Sequence, residues 1–379
     1  MRIMPMVTVL ALGAAAGCST MATTTPKTIT STPVAVSPKR VGEVRSDIDA
    51  LVRSGFTGVI ATLTENGQTV TLTAGVADRT TNASIPLAPP QEVRVGSIAK
   101  TFVASITLQL VAEGRVHLDD PVDTYLPGLL TGNGVDGRNI TVRQLLQHRS
   151  GLPELTDTDI DEYRAGVQGL TYTPAQEVAL ALTLPAQFAP GTRFKYTNTN
   201  YIVAAMLIEK VTGRPYSEEL AARITTPHGL PGTYLPATGE LDLRTPHPQG
   251  YATINGVRTD VTRTEPSVPW AAGGLVSTGA DLNRFYLALL SAQVVPTPQL
   301  QEMLTLQPED PQLEARYGIG IASTDLTCPT QYFGHNGGIT GFSTITGATK
   351  EGRAVTITIT DSVDSELNIK DLISHALCP

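Results

Sequence analysis

Two short runs near the start of the chain, Gly58 to Leu63 and Thr69 to Val76, are rich in β-branched residues. They are joined by Glu65-Asn66-Gly67-Gln68, so they predict an antiparallel hairpin closed by an Asn-Gly turn. Arg45 to Arg53 ahead of them reads as a short helix. After a proline-rich connection (Pro86, Pro89, Pro90), an apolar run begins at Val95 and ends near Glu113-Gly114, which predicts a helix opening on Ser97. Helical and loop segments then alternate to about Leu306: Thr141 to His148, Pro174 to Leu184, Asn200 to Thr212, Ser217 to Ile224, Asp281 to Ser291 and Pro298 to Leu306. Strand patterning returns at the far end in Gln331 to His335, Phe342 to Thr346 and Arg353 to Thr360. In the last of these Val355, Ile357 and Ile359 alternate with Thr356, Thr358 and Thr360, and Asp364 to Leu377 reads as a closing helix. Strands at both ends with helices between them predict an α/β (α+β) fold. One antiparallel sheet is assembled from both chain ends and flanked by helices, and a mainly helical lobe is inserted into it. A cleft between the two parts is the natural place for a site.

Composition narrows the function without naming it. The chain has 379 residues, a formal net charge of −8 and 41% hydrophobic residues, enough for a large core. An acidic balance without a Lys/Arg run argues against nucleic acid as a partner. Arg2 precedes an apolar stretch from Ile3 to Ala16, too short for a membrane span and placed like an export signal. It ends in Ala15-Ala16-Gly17-Cys18, similar to a bacterial lipoprotein lipobox except that Ala15 stands where Leu is usual. Residues 1–18 are therefore expected to be a signal peptide, either lipidated at Cys18 or cleaved for plain export. Residues 19–42, dense in Thr, Ser and Pro, are expected to be a disordered tether, and 43–379 the catalytic domain. The protein is expected outside the cytoplasm, as a surface lipoprotein or secreted, meeting a membrane only through such an anchor. With Cys18 lipidated, Cys328 and Cys378 remain as an even pair, for which a disulfide and two free buried thiols are the alternatives.

Several motifs are decoys. Gly132-Asn133-Gly134-Val135-Asp136-Gly137 fits a dinucleotide fingerprint but follows a turn, not a strand. Asp157, Asp159 and Asp161 imitate a calcium loop that lacks its glycine and its bidentate Glu. Cys-x-x-Cys, His-Glu-x-x-His and Gly-x-Ser-x-Gly are absent, so no metal or other cofactor is expected.

Three motifs carry chemistry. Ser97 and Lys100 form the chain's single Ser-x-x-Lys, which a helix stacks one turn apart. A lysine held neutral in a dry pocket can take the proton of a serine nucleophile, and a helix N-terminus favours developing negative charge. Tyr196-Thr197-Asn198 precedes a helix. Beside a cationic lysine, Tyr196 is expected to have a lowered pKa and serve as a phenolate-like base, and Asn198 offers donors and an acceptor to a substrate amide. Bland alternatives are a buried tyrosine and an N-cap asparagine. The third is Phe333-Gly334-His335-Asn336-Gly337-Gly338, whose glycines permit close backbone approach along a strand edge.

Together Ser97-Ile-Ala-Lys100, Tyr196-Thr-Asn198 and His335-Asn-Gly337 resemble the three-motif pattern of the serine penicillin-binding-protein and class C β-lactamase superfamily. The likeness runs from about residue 45 to the C-terminus and includes Gln144 to Leu152, Asn198 to Lys210 and Tyr317 to Gly320. It is strongest toward the secreted Streptomyces D-alanyl-D-alanine carboxypeptidase branch, including cysteines placed like Cys328 and Cys378. The resemblance implies that Ser97 forms an acyl-enzyme and that Lys100 and Tyr196 share proton transfer, Tyr196 giving the proton to the leaving amine. Asn198 would bind the substrate amide, and His335 would stand where relatives carry Lys or His and support the cleft's electrostatics. Asn336 and Gly337 would line the substrate strand, and the backbone N–H groups of Ser97 and Gly338 would form an oxyanion hole. Trp270 either lines the acyl pocket or fills the core.

The resemblance implies a D-alanyl-D-alanine carboxypeptidase on peptidoglycan stem peptides that also binds β-lactams. Two departures weaken that substrate. Asn336 replaces Thr and Ala322 replaces Arg at positions that hold the free carboxylate of a terminal D-Ala. A β-lactamase or esterase on the same scaffold is the alternative, and a penicillin-binding receptor without turnover a third.

Overall fold

The computed structural model describes residues 35–379 except Thr245, 308–315 and 364–368. The expected signal peptide, Cys18 and most of the expected tether lie outside the described residues. The structured part begins earlier than expected. Val36 is buried, and helix α1 spans Pro38–Arg53, not only Arg45 to Arg53, with Pro38 in its first turn. Residues 38–42 are therefore helix, because the buried face of α1 extends through Arg40 and Val44.

The sheet is assembled from both chain ends. β1 (Gly58–Glu65) and β2 (Gln68–Asp78) form the expected hairpin, with Asn66 and Gly67 both at positive φ. β3 (Ala83–Ser84) extends it, and β4 (Arg316–Tyr317), β5 (Ala322–Ser323), β6 (Tyr332–Ile339), β7 (Phe342–Thr349) and β8 (Arg353–Ile359) complete it. The order is β4-β5-β6-β7-β8-β1-β2-β3, all antiparallel. β8 pairs β1 with Ile357 opposite Ala61, which joins the two ends of the chain at the sheet centre.

The helices between β3 and β4 form the inserted part. The α-helices of five or more residues there are α2 (Ala99–Ala112), α3 (Val142–Leu146), α4 (Glu162–Gln168), α5 (Pro174–Ala181), α6 (Thr199–Thr212), α7 (Tyr216–Leu220), α8 (Gly279–Leu290) and α9 (Thr297–Met303). Helix α10 (Ile369–Leu377) closes the chain. Reciprocal capping boxes, Thr141 with Gln144 and Thr173 with Gln176, start α3 and α5. Helix α2 is buried on nearly every face, and the hydroxyls of its Thr101, Ser105 and Thr107 go under because each donates to a backbone carbonyl. None of the described helices is long and apolar enough to cross a membrane.

The core falls into two clusters. Val355, Ile357 and Ile359 of β8 pack with Val44 and Ile48 of α1 and with Ile373 and Leu377 of α10. The larger cluster joins α2, α6 and α8. The alternation of β8 does not mark a solvent face, because Thr356 and Thr358 are buried as well. Their hydroxyls bond across strands, Thr344 to Thr358 at 3.0 Å and Thr346 to Thr356 at 2.6 Å, and Thr356 donates to Asn283 Oδ1 of α8 at 2.7 Å. Hydrogen bonding thus lets a polar face go under a helix.

The decoy loops have structural roles. Residues 131–136 make a small hairpin whose Asn133 amide donates to the Leu182 carbonyl at 2.6 Å, beyond the end of α5. Asp161 caps α4 by accepting from Arg164 N at 2.6 Å. Cys328 and Cys378 are joined in a disulfide, their Cα atoms 6.0 Å apart, tying α10 to the loop after β5.

Candidate active site

Ser97 stands in a 3-10 turn, Gly96–Ile98, which runs directly into α2. The turn is wedged against β6, and two glycines make that approach feasible. Gly96 adopts φ +54°, and a Cβ there would lie 2.6 Å from the Gly338 carbonyl oxygen. A Cβ on Gly337 would lie 2.9 Å from Ser97 N and collide with the Val95 carbonyl. The glycines explain why β6 continues past His335 to Ile339: the strand needs bare backbone where it crosses the serine turn. The Ser97 N–H has no hydrogen-bond acceptor among the described residues, and Gly338 is exposed beside it.

Lys100 is completely buried one turn further along α2. Its Nζ lies 2.9 Å from Ser97 Oγ, 2.7 Å from Asn198 Oδ1 and 2.8 Å from the Ala272 carbonyl. Burial lowers its pKa from 10.5 to about 7, opposed by the charge of Glu154. An amide oxygen and a carbonyl oxygen only accept, so both neutral and charged Lys100 spend two N–H groups on them. The third position, facing Ser97, is an N–H when charged and a lone pair when neutral.

Asn198 sits at the N-terminus of α6 but caps nothing with its side chain. That side chain spans from Lys100 to Glu154, donating from Nδ2 to Glu154 Oε1 at 3.1 Å, and its backbone N–H donates to Glu154 Oε2 at 2.7 Å.

The tyrosine expectation is overturned in sign. The Tyr196 hydroxyl is buried without a hydrogen-bond partner, and burial pushes its pKa well above 10. Ser97 lies near enough to favour the phenolate somewhat, but no bond of normal geometry joins the two. Lys100 Nζ sits over the ring face, 4.8 Å from its centroid, and is not among the groups that set the direction of the Tyr196 shift. Tyr196 is a protonated phenol.

His148 supports it, the rings stacking at 4.1 Å. His148 Nδ1 accepts from Thr197 N at 3.2 Å and from the Asn200 amide at 3.1 Å, which assigns its proton to Nε2. Burial and the neighbouring Lys100 hold His148 neutral, far below its ordinary range.

His335 is also buried and neutral. Burial first, then Lys100, lowers its pKa to about 4, against the pull of the Asn336 carbonyl. Its Nδ1 lies 2.5 Å from that carbonyl oxygen, so Nδ1 carries the proton and Nε2 accepts from the Tyr317 hydroxyl at 2.9 Å. Near neutral pH His335 therefore brings a dipole to the cleft and no positive charge. Asn336 is exposed on β6.

Trp270 is half-buried and serves the core on one side, its ring 6.0 Å from that of Tyr216 and packed against the larger cluster. Its φ of +28° is strained for a bulky residue, at a cost of about 1–3 kcal/mol. The strained turn carries the Ala272 carbonyl to Lys100.

The structure thus brings Ser97, Lys100, Asn198, Tyr196 and His335 into one cluster, with Gly337 and Gly338 against the serine. Four members are not assigned from the sequence. Glu154 lies two residues beyond the Gln144 to Leu152 segment. His148 and Tyr317 lie inside recognised segments without an assigned role. The Ala272 carbonyl is backbone and leaves no sequence signal. Among the described residues no group of His, Cys, Asp or Glu could hold a metal ion.

The sequence profile of the beta-lactamase family matches residues 44–376. The chain belongs to that family. A Bacillus subtilis (strain 168) protein assigned as penicillin-binding protein PbpX is 28% identical over 307 residues, 80% of this chain and 70% of that protein. A D-stereospecific amidohydrolase from Streptomyces sp. superposes with a TM-score of 0.81 at 35% identity, covering 89% of this chain and 98% of the other. The D-amino acid amidase of Ochrobactrum anthropi SV3, solved with L-phenylalanine amide, gives 0.76 at 25% identity, covering 89% and 97%. The chain spans about half the length of several other curated relatives. Within this family the chain is a serine hydrolase of the β-lactamase and penicillin-binding fold.

Proposed function

We propose that this family member hydrolyses amide bonds of D-amino acid derivatives whose leaving group carries no free carboxylate. Ala322 carries the reading. It pairs with Gly334 beside the β6 segment that crosses Ser97, and there the family resemblance expects the guanidinium that holds a terminal carboxylate. A methyl group supplies no such charge-assisted bond, worth about 1.5–3 kcal/mol. The amidohydrolase and amidase likenesses support the same substrate class.

The steps follow from the site. Neutral Lys100 takes the proton of Ser97, whose oxygen adds to the substrate carbonyl. The N–H groups of Ser97 and Gly338 receive the oxyanion, each contributing about 3 kcal/mol. Asn198 steers the substrate amide. Tyr196, a protonated phenol, donates to the departing amine and recovers a proton from Lys100, and the C–N bond breaks to leave the acyl-enzyme. Water then opens the ester by the reverse proton path.

The test offers D-phenylalanine amide, L-phenylalanine amide and a D-Ala-D-Ala peptide to the purified protein, and follows ammonia and free D-Ala. Ammonia from the D-amide alone is expected. Faster release of D-Ala from the peptide would reinstate the second reading, a D,D-carboxypeptidase of peptidoglycan, which the three motifs and the penicillin-binding relative favour.

A further inference from the structure

Asn198 can turn over about its last side-chain bond, exchanging oxygen for nitrogen with almost no change of shape. Its neighbours decide which way it points. On one side lies the carboxylate of Glu154, 8% exposed and an acceptor only. It takes the Asn198 backbone N–H at 2.7 Å, the Nδ2–H at 3.1 Å and the Thr156 N–H at 3.2 Å. The amide nitrogen must therefore face Glu154 and the oxygen must face Lys100.

This orientation matters because of how Lys100 is held. With Asn198 Oδ1 and the Ala272 carbonyl taking its two N–H groups, a neutral Lys100 has its lone pair left for Ser97, 2.9 Å away. With the amide turned over, Nδ2–H would face the amine and the lone pair would be spent on it.

We propose that Glu154 is a positioning residue that locks the Asn198 amide and so aims the Lys100 lone pair at the Ser97 hydroxyl. This rests on Lys100 being the proton acceptor from Ser97. Glu154 also supplies the negative charge that acts on Lys100. The other groups around the amine are the neutral imidazoles of His148 and His335 and the rings of Tyr196 and Tyr201.

The experiment uses the full chain, p-nitrophenyl acetate turnover across pH, and thermal unfolding of each variant. The ester reports on Ser97 activation whatever amide is natural, so failure of the D-amide reading leaves it intact. Absence of ester turnover in the unaltered protein would count against the Lys100–Ser97 reading itself. Glu154→Gln is expected to lower kcat about 10- to 100-fold with KM nearly unchanged. Its acid limb should move to lower pH, because Lys100 loses the neighbouring charge. Asn198→Asp sets two carboxylates face to face and should lose at least as much. The double variant Glu154→Gln/Asn198→Asp restores the polarity, the introduced glutamine N–H meeting one carboxylate oxygen while the other faces Lys100. It should exceed Asn198→Asp about tenfold in kcat. A Glu154→Gln protein with unaltered kcat and acid limb would overturn the proposal. Losses that simply multiply in the double variant would do the same. If Glu154→Gln alone does not fold, the comparison of the double variant with Asn198→Asp decides.

Discussion

The cleft has two buried walls, and burial prepares them for opposite tasks. On the α2 wall, Lys100 has a partner for every position on its nitrogen, and desolvation lowers its pKa to about 7. On the aromatic wall, formed by Tyr196, His148, Tyr317 and His335, the Tyr196 hydroxyl has no partner and desolvation raises its pKa. The physical cause is one and the same: loss of water disfavours whichever form is charged. For an amine that is the protonated form, and for a phenol the deprotonated one. The same dry surroundings therefore hold a base ready to accept and an acid ready to donate. A charged-lysine, phenolate arrangement would require each wall to stabilise an ion, which neither is built to do.

The largest expected break in this symmetry comes from Lys100→Met, which removes the base and should lower kcat/KM on any acyl donor by about 10^4-fold. The same protein tests the stability side of the shift. In the unfolded chain Lys100 holds its proton to about 10.5, in the folded protein only to about 7. Between those values the unfolded state binds more protons, so this group's contribution to stability rises with pH across that window and is flat outside it. Unfolding midpoints measured from pH 6 to 10.5 should show that rise in the unaltered protein but not in Lys100→Met.

Next in size is Tyr196→Phe. It should cost about 10^2- to 10^3-fold in kcat on an amide and much less on an activated ester, whose leaving group needs no proton. Because the hydroxyl is unpartnered, its loss should leave thermal stability unchanged or raised by up to about 1 kcal/mol. A loss of equal size on both substrates would make Tyr196 a partner in activating Ser97 instead.

The pH profile sharpens the contrast further. Activity is expected to rise through about pH 7 as Lys100 loses its proton, with no falling limb from Tyr196 below pH 10. An acid limb centred near pH 4 would assign the controlling group to His335. The smallest expected effect is His335→Gln, less than about tenfold in kcat near neutral pH, since a neutral imidazole already bonded to Tyr317 contributes only a dipole there.

Much of this was legible in the sequence, for identifiable reasons. The Asn66-Gly67 turn fixed the first hairpin, because few other residue pairs adopt positive φ twice in succession. The alternation in β8 and the apolar continuity of α2 marked their elements, since strand and helix periods differ. Ser-x-x-Lys, Tyr-x-Asn and His-x-Gly named five side chains of the cluster, because a short fixed spacing keeps the members of each motif close whether they stand on a helix, before one or on a strand.

What the sequence alone determined was therefore local: which segments fold, which residues share a turn, and which chemistry they offer. The tertiary structure decided whatever depends on surroundings. It put the threonine face of β8 under α8, where hydrogen bonds across strands replace water. It delivered Glu154 and the Ala272 carbonyl, 44 and 74 residues from Asn198, to opposite sides of the Asn198–Lys100 pair. It also set the direction of each pKa shift, because desolvation is a property of the packed surroundings and not of the motif.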